Sequence, residues 1–425
     1  MMSGSHRSAA VARARRLGRA FDLLGAYEPI AGVFFERSGL GVAGTRAGER
    51  VPVGDGSDGE SPGRLASAVL NRLRAIRHDG DGPAPAGVGG LPFGPPALGE
   101  LVVPRRAVVR TMPDATWSVD VGPGAELDRA VPSAAVGRAV DRRAPHDAFT
   151  NVQLEPVPPP HIYAAAVRES VRSIRLGELR KVVLARTIEV SSGHSFDARR
   201  LAHRLRAVDP DAYTFAVPVP GGALIGASPE LLVSRQGNEI RSNPLEGSAP
   251  RSGDPVEDRA NADALVRSAK DRDEHVVVVE AIAETLGPYC QELAWDQEPV
   301  LLATANVWHL STRFRGILRD PPASAMELVL ALHPTPAVAG APLTAALEII
   351  ASLEPFDRGA YAGPVGWVDA DGDGVWAIAL RCAELRHDRA TLYAGAGIVA
   401  DSDPDREVDE TERKFRAFLD ALRWS

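Results

Sequence analysis

The sequence predicts an α+β fold in which large antiparallel sheets carry helices around them. Three observations lead there. Strand-like runs follow one another closely between Val182 and Ser242, joined by short turns and not by the crossover helices of a parallel sheet. Helical periodicity falls in separate blocks, at 127–143, 161–177, 256–287, 322–332, 342–353 and 404–422. Hairpin-like strands at 363–369, 375–385 and 390–395 then close the chain before its final helix.

Residues 1–40 alternate helical and strand-like patterns. The first 18 are basic (Arg7, Arg13, Arg15, Arg16) without a continuous apolar stretch, so an amphipathic first helix or a frayed tail is expected there, not a secretory signal. His78 to Glu100 is dense in Gly and Pro and predicts a long ordered loop or an internal boundary. Strands follow at 100–112 and 115–121, then two helices, the second ending at Gly177. The strand series comprises Val182–Val190, Tyr213–Val219, Ala223–Ala227, Leu231–Arg235 and Glu239–Ser242. The helical block 256–287 contains the apolar turn Val276–Val279, and strands recur at 301–306 and 309–314.

Composition narrows the function classes. Of 425 residues, 44% are hydrophobic and 24% charged, as in ordinary globular proteins, and the formal charge of −8 argues against a nucleic-acid partner. Two cysteines, Cys290 and Cys382, are too few for a disulfide framework or a zinc site. No apolar run approaches the roughly 20 residues that span a bilayer, so a cytoplasmic enzyme with no membrane partner is expected.

Several charged residues sit where an apolar setting would make them chemical. In the last helix Glu407, Glu410 and Lys414 share one stripe, next to an apolar stripe through Val408, Phe415, Phe418, Leu419 and Leu422. Two carboxylates at a core boundary repel unless a cation lies between them, and a hard divalent ion such as Mg²⁺ suits oxygen donors; a solvated face with one Glu–Lys pair is the alternative. Asp271 and Glu274 form a similar i, i+3 pair on the helix before Val276. Lys181 opens an apolar strand and is either a strand-edge solubiliser or, if desolvated, a general base. Glu230, between Ile-Gly-Ala-Ser-Pro and Leu-Leu-Val, is placed to have its pKa raised, as a general acid needs. His309 lies between Trp308 and Leu310 in a strand.

Two patterns mislead. Asp369, Asp371, Asp373 and Gly374 copy half of an EF-hand loop, but the required acid falls on Leu380 and the flanks are strands. Ser228 in Gly-Ala-Ser-Pro lacks the second glycine of a nucleophile elbow.

Read together, the motifs resemble the chorismate-utilising enzymes, and among them the isochorismate synthases of siderophore and menaquinone pathways. The matching text includes Lys-Val-Val-Leu-Ala-Arg (181–186), Ile-Gly-Ala-Ser-Pro-Glu-Leu-Leu (225–232), Ser-Asn-Pro-Leu-Glu-Gly-Ser (242–248) and Lys-Asp-Arg-Asp-Glu-His (270–275). It continues through Trp-His-Leu-Ser-Thr (308–312), His-Pro-Thr-Pro-Ala-Val (333–338), Glu-Pro-Phe-Asp-Arg (354–358), Gly-Pro-Val-Gly-Trp (363–367), Leu-Arg-Cys-Ala-Glu-Leu (380–385) and Ala-Gly-Ala-Gly-Ile-Val (394–399). It covers about 160–425 strongly and the first 150 loosely, so 1–150 reads as the N-terminal part and 151–425 as the chorismate-binding part of one large domain like that of anthranilate synthase component I.

The resemblance implies residue roles. Lys181 corresponds to the base that activates water for attack at C2 of chorismate, and Glu230 to the acid that protonates the departing C4 hydroxyl. Glu274 and Glu410 correspond to Mg²⁺ ligands, with Asp271 and Glu407 in support. Arg381, Tyr361 and the backbone N–H groups of Gly395 and Gly397 correspond to a cradle for the pyruvyl carboxylate, a task that an arginine fork and glycine amides suit. Gly247 and Ser248 would approach the other carboxylate, Lys414 would hold the carboxylate network, and His309, Ala337 and Val338 would line the ring pocket. Lys181 implies water as the nucleophile, hence no glutaminase subunit, and a monomer is expected. Salicylate synthases, the runner-up, share the lysine but typically carry Thr near the position of Ala337. Glu246 departs from the family, where Ala is usual. A carboxylate there would either pair with Lys181 and weaken it as a base, or turn away.

Overall fold

The computed structural model describes residues 10–17, 22–29, 31–45, 48–54, 61–94, 99–123 and 152–423. Its described strands form three sheets. The largest runs in the order 153–157, 181–191, 389–398, 382–386, 222–228, 213–219, 33–37, 40–45, 106–112, 115–123, 10–16, 77–79, with the short strand Gly340–Ala341 also on 181–191. The second runs 290–295, 314–318, 239–243, 231–236, 374–378, 364–369, 86–90, 99–103, 49–53, and a small third sheet joins 245–250, 307–311 and 300–303. Every described pairing is antiparallel except Ala10–Arg16 with Arg77–Asp79. The predicted α+β class holds. Strand 33–37 pairs with 213–219, so the largest sheet runs across the division near residue 150.

Two adjacent strands leave the first sheet and enter the second side by side. Strand 222–228 belongs to the first sheet and 231–236 to the second; 374–378 belongs to the second and 382–386 to the first. Strands 222–228 and 382–386 pair in one sheet, and 231–236 and 374–378 pair in the other. The crossing is tied by Ala227 N–H to the Arg381 carbonyl (3.3 Å) and Ile378 N–H to the Glu230 carbonyl (3.2 Å). Arg381 turns this corner with φ +49°, a conformation that costs a non-glycine residue roughly 1 kcal/mol or more and persists only where the surroundings enforce it.

Several expectations change. Ala10–Arg16 is a strand, not a helix or frayed tail, because its alternating pattern pairs with Trp117–Pro123. The Gly/Pro-rich stretch contains the strand Ala86–Gly90, where Gly87 and Gly89 let Leu101 approach: a Cβ would meet Leu101 atoms at 3.2 and 3.1 Å. The block 256–287 is two helices, Pro255–Arg267 and Ala269–Leu286, broken at Ser268, whose extended backbone caps the second (Asp271 N–H to Ser268 Oγ, 3.2 Å). Within the second, Val278 is buried while Val276 is half exposed, so that turn has one wet side. The run 375–385 is divided at the sheet crossing, and 301–306 and 309–314 are Val300–Ala303, Val307–Ser311 and Phe314–Leu318. The helix expected at 127–143 lies outside the described residues.

The final helix, Pro404–Arg423, follows its sequence pattern. Phe415, Phe418 and Leu422 are buried in a core with Leu201, Leu205 and Leu392, which turns the stripe of Glu407, Glu410 and Lys414 toward the strand 389–398. Arg186, fully buried in the neighbouring strand, fastens the helix by donating to Thr411 Oγ1 (2.8 Å) and Glu412 Oε1 (2.6 Å). Asp369 Oδ1 accepts from the N–H groups of Asp371 and Asp373 (3.0 Å each), so the EF-hand-like segment is a closed hairpin turn.

Candidate active site

The sheet crossing, the strand 389–398, the helix Ala269–Leu286 and the final helix form the walls of a cleft. Its walls carry Glu230, Gly247, Ser248, Asp271, Glu274, His309, Ala337, Val338, Tyr361, Arg381, Gly395, Gly397, Glu407, Glu410 and Lys414. These are the candidates from the sequence with one exception. Lys181 is 1% exposed and lies behind the wall, ion-paired through Nζ with Glu246 Oε2, and it is Glu246 that lines the cleft.

At the crossing, Glu230 is buried, its backbone N–H donating to Ser228 Oγ (3.3 Å). Burial pushes its carboxyl from an ordinary 4.5 to about 8, with Glu246 adding repulsion, against the lowering effect of Leu245, Lys181 and Arg381. It is therefore a protonated acid near neutral pH. Arg381 is held from below by His309. The guanidinium Nη2 donates to His309 Nε2 (3.2 Å), which leaves Nδ1 to donate to the Gly247 carbonyl (3.1 Å). Burial, Arg381 and Lys414 push the His309 pKa down to about 3, so the ring stays neutral and orients the arginine.

Gly395 and Gly397 lie in the strand opposite Ala185 and Val183. Val183 N–H bonds the Ala339 carbonyl and Ala185 N–H bonds Glu354 Oε1 (2.7 Å), so neither points at the glycine facing it. Such pairs direct the N–H and carbonyl of both glycines away from that neighbour, on the side where Lys414 Nζ binds the Gly395 carbonyl (2.8 Å). Space there is tight. A Cβ on Gly395 would meet the Tyr361 hydroxyl at 3.1 Å, and one on Gly397 would meet Glu274 Oε2 at 3.0 Å and Lys181 Cε at 3.2 Å. Tyr361 is stacked on Tyr393, ring centroids 4.9 Å apart.

The acidic side holds Asp271, Glu274, Glu407 and Glu410. Lys270, which the sequence analysis did not single out although it opens the motif 270–275, stands between two of them, 3.8 Å from Glu274 and 3.4 Å from Glu407. Burial raises Glu274 to about 8, with Lys181 opposing and Glu246 adding to the rise. Burial and then Glu410 raise Glu407. Burial also acts on Glu410, but Lys414 (2.6 Å), Ser248 and Lys270 outweigh it and bring its pKa down. Among the described residues no three His, Cys, Asp or Glu side chains stand as a ready-made metal cage. The donor chemistry fits a hard cation nonetheless: these four carboxyls line one side of the cleft, and burial raises the pKa of two of them.

Arg358 also reaches the wall, bidentate on Glu354 (2.5 and 2.8 Å) and bonded to the Val338 and Val183 carbonyls. It is a strut for the loop that presents Ala337 and Val338. Only the quoted motif Glu-Pro-Phe-Asp-Arg hinted at it.

Comparison with known proteins identifies the family. Residues 104–423 match the family model described as chorismate binding enzyme. The chain belongs to that family. It is 40% identical over 412 residues to isochorismate synthase DhbC of Bacillus subtilis (strain 168), covering 95% of this chain and 96% of the relative. The solved structure of MenF, the menaquinone-specific isochorismate synthase of Escherichia coli, superposes with a TM-score of 0.81 at 24% identity, covering 98% of this chain and 95% of that one. Anthranilate synthase component I of Streptococcus pneumoniae superposes with a TM-score of 0.65 at 22% identity, over 98% and 93% of the two chains. The last two share the fold predicted from the sequence. No helix among the described residues is long and apolar enough to cross a membrane.

Proposed function

We propose that this protein is an isochorismate synthase, converting chorismate to isochorismate by adding water at C2 as the C4 hydroxyl leaves. The carrying observation is the juxtaposition in one cleft of an acid protonated near neutral pH, Glu230, and the buried Lys181–Glu246 pair, flanked by Arg381 and Lys414. The 40% identity to a named isochorismate synthase over nearly the whole chain supports the same reading.

Arg381, oriented by neutral His309, is suited to a bidentate grip on the pyruvyl carboxylate, with the amides of Gly395 and Gly397 beside it. Ser248 and Gly247 approach the second carboxylate. Glu230 gives its proton to the leaving hydroxyl, a general-acid role that its raised pKa serves. Lys181 belongs to the opposite, proton-accepting end. Its Nζ is ion-paired with Glu246, and the resemblance gives it the role of the base that activates the water. Glu274 and Glu410, supported by Asp271 and Glu407, would hold Mg²⁺. A bound Mg²⁺ neutralises the ring carboxylate and fixes the substrate's orientation. We propose further that the enzyme works in the cytoplasm as a monomer without a glutaminase subunit, since its lysine points to water and not ammonia.

Incubating the protein with chorismate and Mg²⁺ and separating the products tests this. Isochorismate alone is expected. Salicylate with pyruvate makes it a salicylate synthase, and unchanged chorismate makes it an inactive binding relative.

A further inference from the structure

The loop 333–339 presents Ala337 and Val338 to the cleft and is held at both ends. Within it the Thr335 carbonyl accepts from the N–H groups of Val338 (3.1 Å) and Ala339 (3.0 Å), which makes one tight turn. Past the turn, Val183 N–H donates to the Ala339 carbonyl (2.9 Å) and Arg358 Nη1 to the Val338 carbonyl (2.8 Å). At the start of the loop, His333 Nε2 bonds the Phe93 carbonyl (3.0 Å). A carbonyl only accepts, so Nε2 carries the proton and the buried Nδ1 is left without a partner. Burial pushes the ring's pKa down to about 4, which keeps it in this neutral form.

Phe93 touches both ends of that frame. Its ring meets His333 edge-on, centroids 6.1 Å apart at 78°, and the Arg358 guanidinium stands over its face, 4.2 Å from the centroid. Glu354 holds the edge of the same guanidinium, and Phe93 covers one of its faces. The Phe93 N–H donates to the Gly359 carbonyl (2.8 Å), one residue past Arg358. The side chain is buried. Phe93 comes from the Gly/Pro-rich stretch 78–100, outside every motif quoted above, whereas the rest of the frame lies between Val183 and Gly359.

Resting on the reading of this cleft as the chorismate site, we propose that Phe93 is a positioning residue for substrate binding. Acting through Arg358 and His333, it sets how closely Ala337 and Val338 approach the substrate ring. Without the Phe93 ring, the Arg358 guanidinium and the His333 ring each lose a packed neighbour, and the loop between them withdraws from the cleft. Apolar lining contacts are made to substrate and transition state alike, so their loss shows in binding and not in the turnover of bound substrate. A gap of about one methylene in such a wall costs roughly 10-fold or more in affinity.

The test uses the full-length protein with Mg²⁺ and reads kcat, KM and, by calorimetry, chorismate affinity. Phe93→Ala should raise KM and weaken the affinity by roughly tenfold with kcat nearly unchanged. Phe93→Tyr, which keeps the ring, should stay near the parent. His333→Gln, whose amide still donates to the Phe93 carbonyl, should also stay near the parent, and His333→Leu should repeat the Phe93→Ala result. Leu24→Ala truncates a fully buried side chain in the separate core around Phe34 and Ala43, so it should lower the melting temperature and leave KM alone. A parental KM in Phe93→Ala overturns the proposal, as does a loss confined to kcat, or an equal KM rise in Leu24→Ala. If Phe93→Ala does not fold, His333→Leu decides by the same readings. If the parent binds chorismate but makes no isochorismate, the assigned reaction fails while the affinities still decide the role of Phe93.

Discussion

Replacing Glu230 by Gln should damage catalysis and stabilise the fold at once, and the two effects separate by pH. Glu230 is 4% exposed, and its carboxyl is raised from an ordinary 4.5 to about 8. A group whose folded pKa is raised gives stability that is complete below the unfolded value and is lost as pH rises through the folded value. Between pH 4.5 and 8 the folded protein therefore holds one proton that the unfolded chain releases. The parent loses about 1.4 kcal/mol per pH unit on that account, or roughly 3 kcal/mol by pH 7. Gln carries no such proton. Denaturant melts of the two proteins at pH 5, 6, 7 and 8 should show Glu230→Gln gaining steadily on the parent and levelling above pH 8. At pH 7 its kcat should be lower by roughly 10²–10⁴-fold through loss of the general acid, and the parent's own kcat should fall above about pH 8 as Glu230 ionises. A stability difference that does not change with pH would refute the buried, protonated carboxyl, and an unimpaired kcat would refute its role as acid.

Three further outcomes are expected. Lys181→Ala should lower kcat by roughly 10²–10⁴-fold through loss of the general base while chorismate still binds; equal losses of binding and rate would make Lys181 a positioning residue. EDTA should abolish turnover, and Mg²⁺ without substrate should raise the melting temperature by relieving the crowding at Glu274 and Glu407, a gain that Glu274→Gln should reduce. Turnover that survives chelation would show that the carboxylates serve another purpose. Gly397→Ala should cost most of the activity with little loss of fold, since its Cβ would press on Glu274 Oε2 and Lys181 Cε, both side-chain atoms able to shift; product formation at the parental rate would show that those positions are loose.

The sequence by itself determined the class of fold, the final helix with its charged stripe, the raised carboxyl at Glu230 and the family. Each is written locally: period-2 and period-3.6 patterns set strands and helices, and an apolar setting around one carboxyl can be read from its neighbours. Locally weak signals misled. Ala86–Gly90 looks like loop because glycines lack strand propensity, and it is a strand because Leu101 packs where a Cβ would stand. Ala10–Arg16 owes its strand to a partner over a hundred residues away. The break at Ser268 has a local signal, a serine cap before Asp271, hidden inside a continuous helical pattern. Only the tertiary structure decided which way side chains from distant segments face. It set Arg381 and Glu230 together because two paired strands change sheets at the same place, and it gave His309 the task of orienting that arginine. The resemblance put Lys181 at the site but could not decide whether Glu246, 65 residues on, would pair with it or turn away, because burial and charge pairing belong to surfaces that exist only once the three sheets have come together.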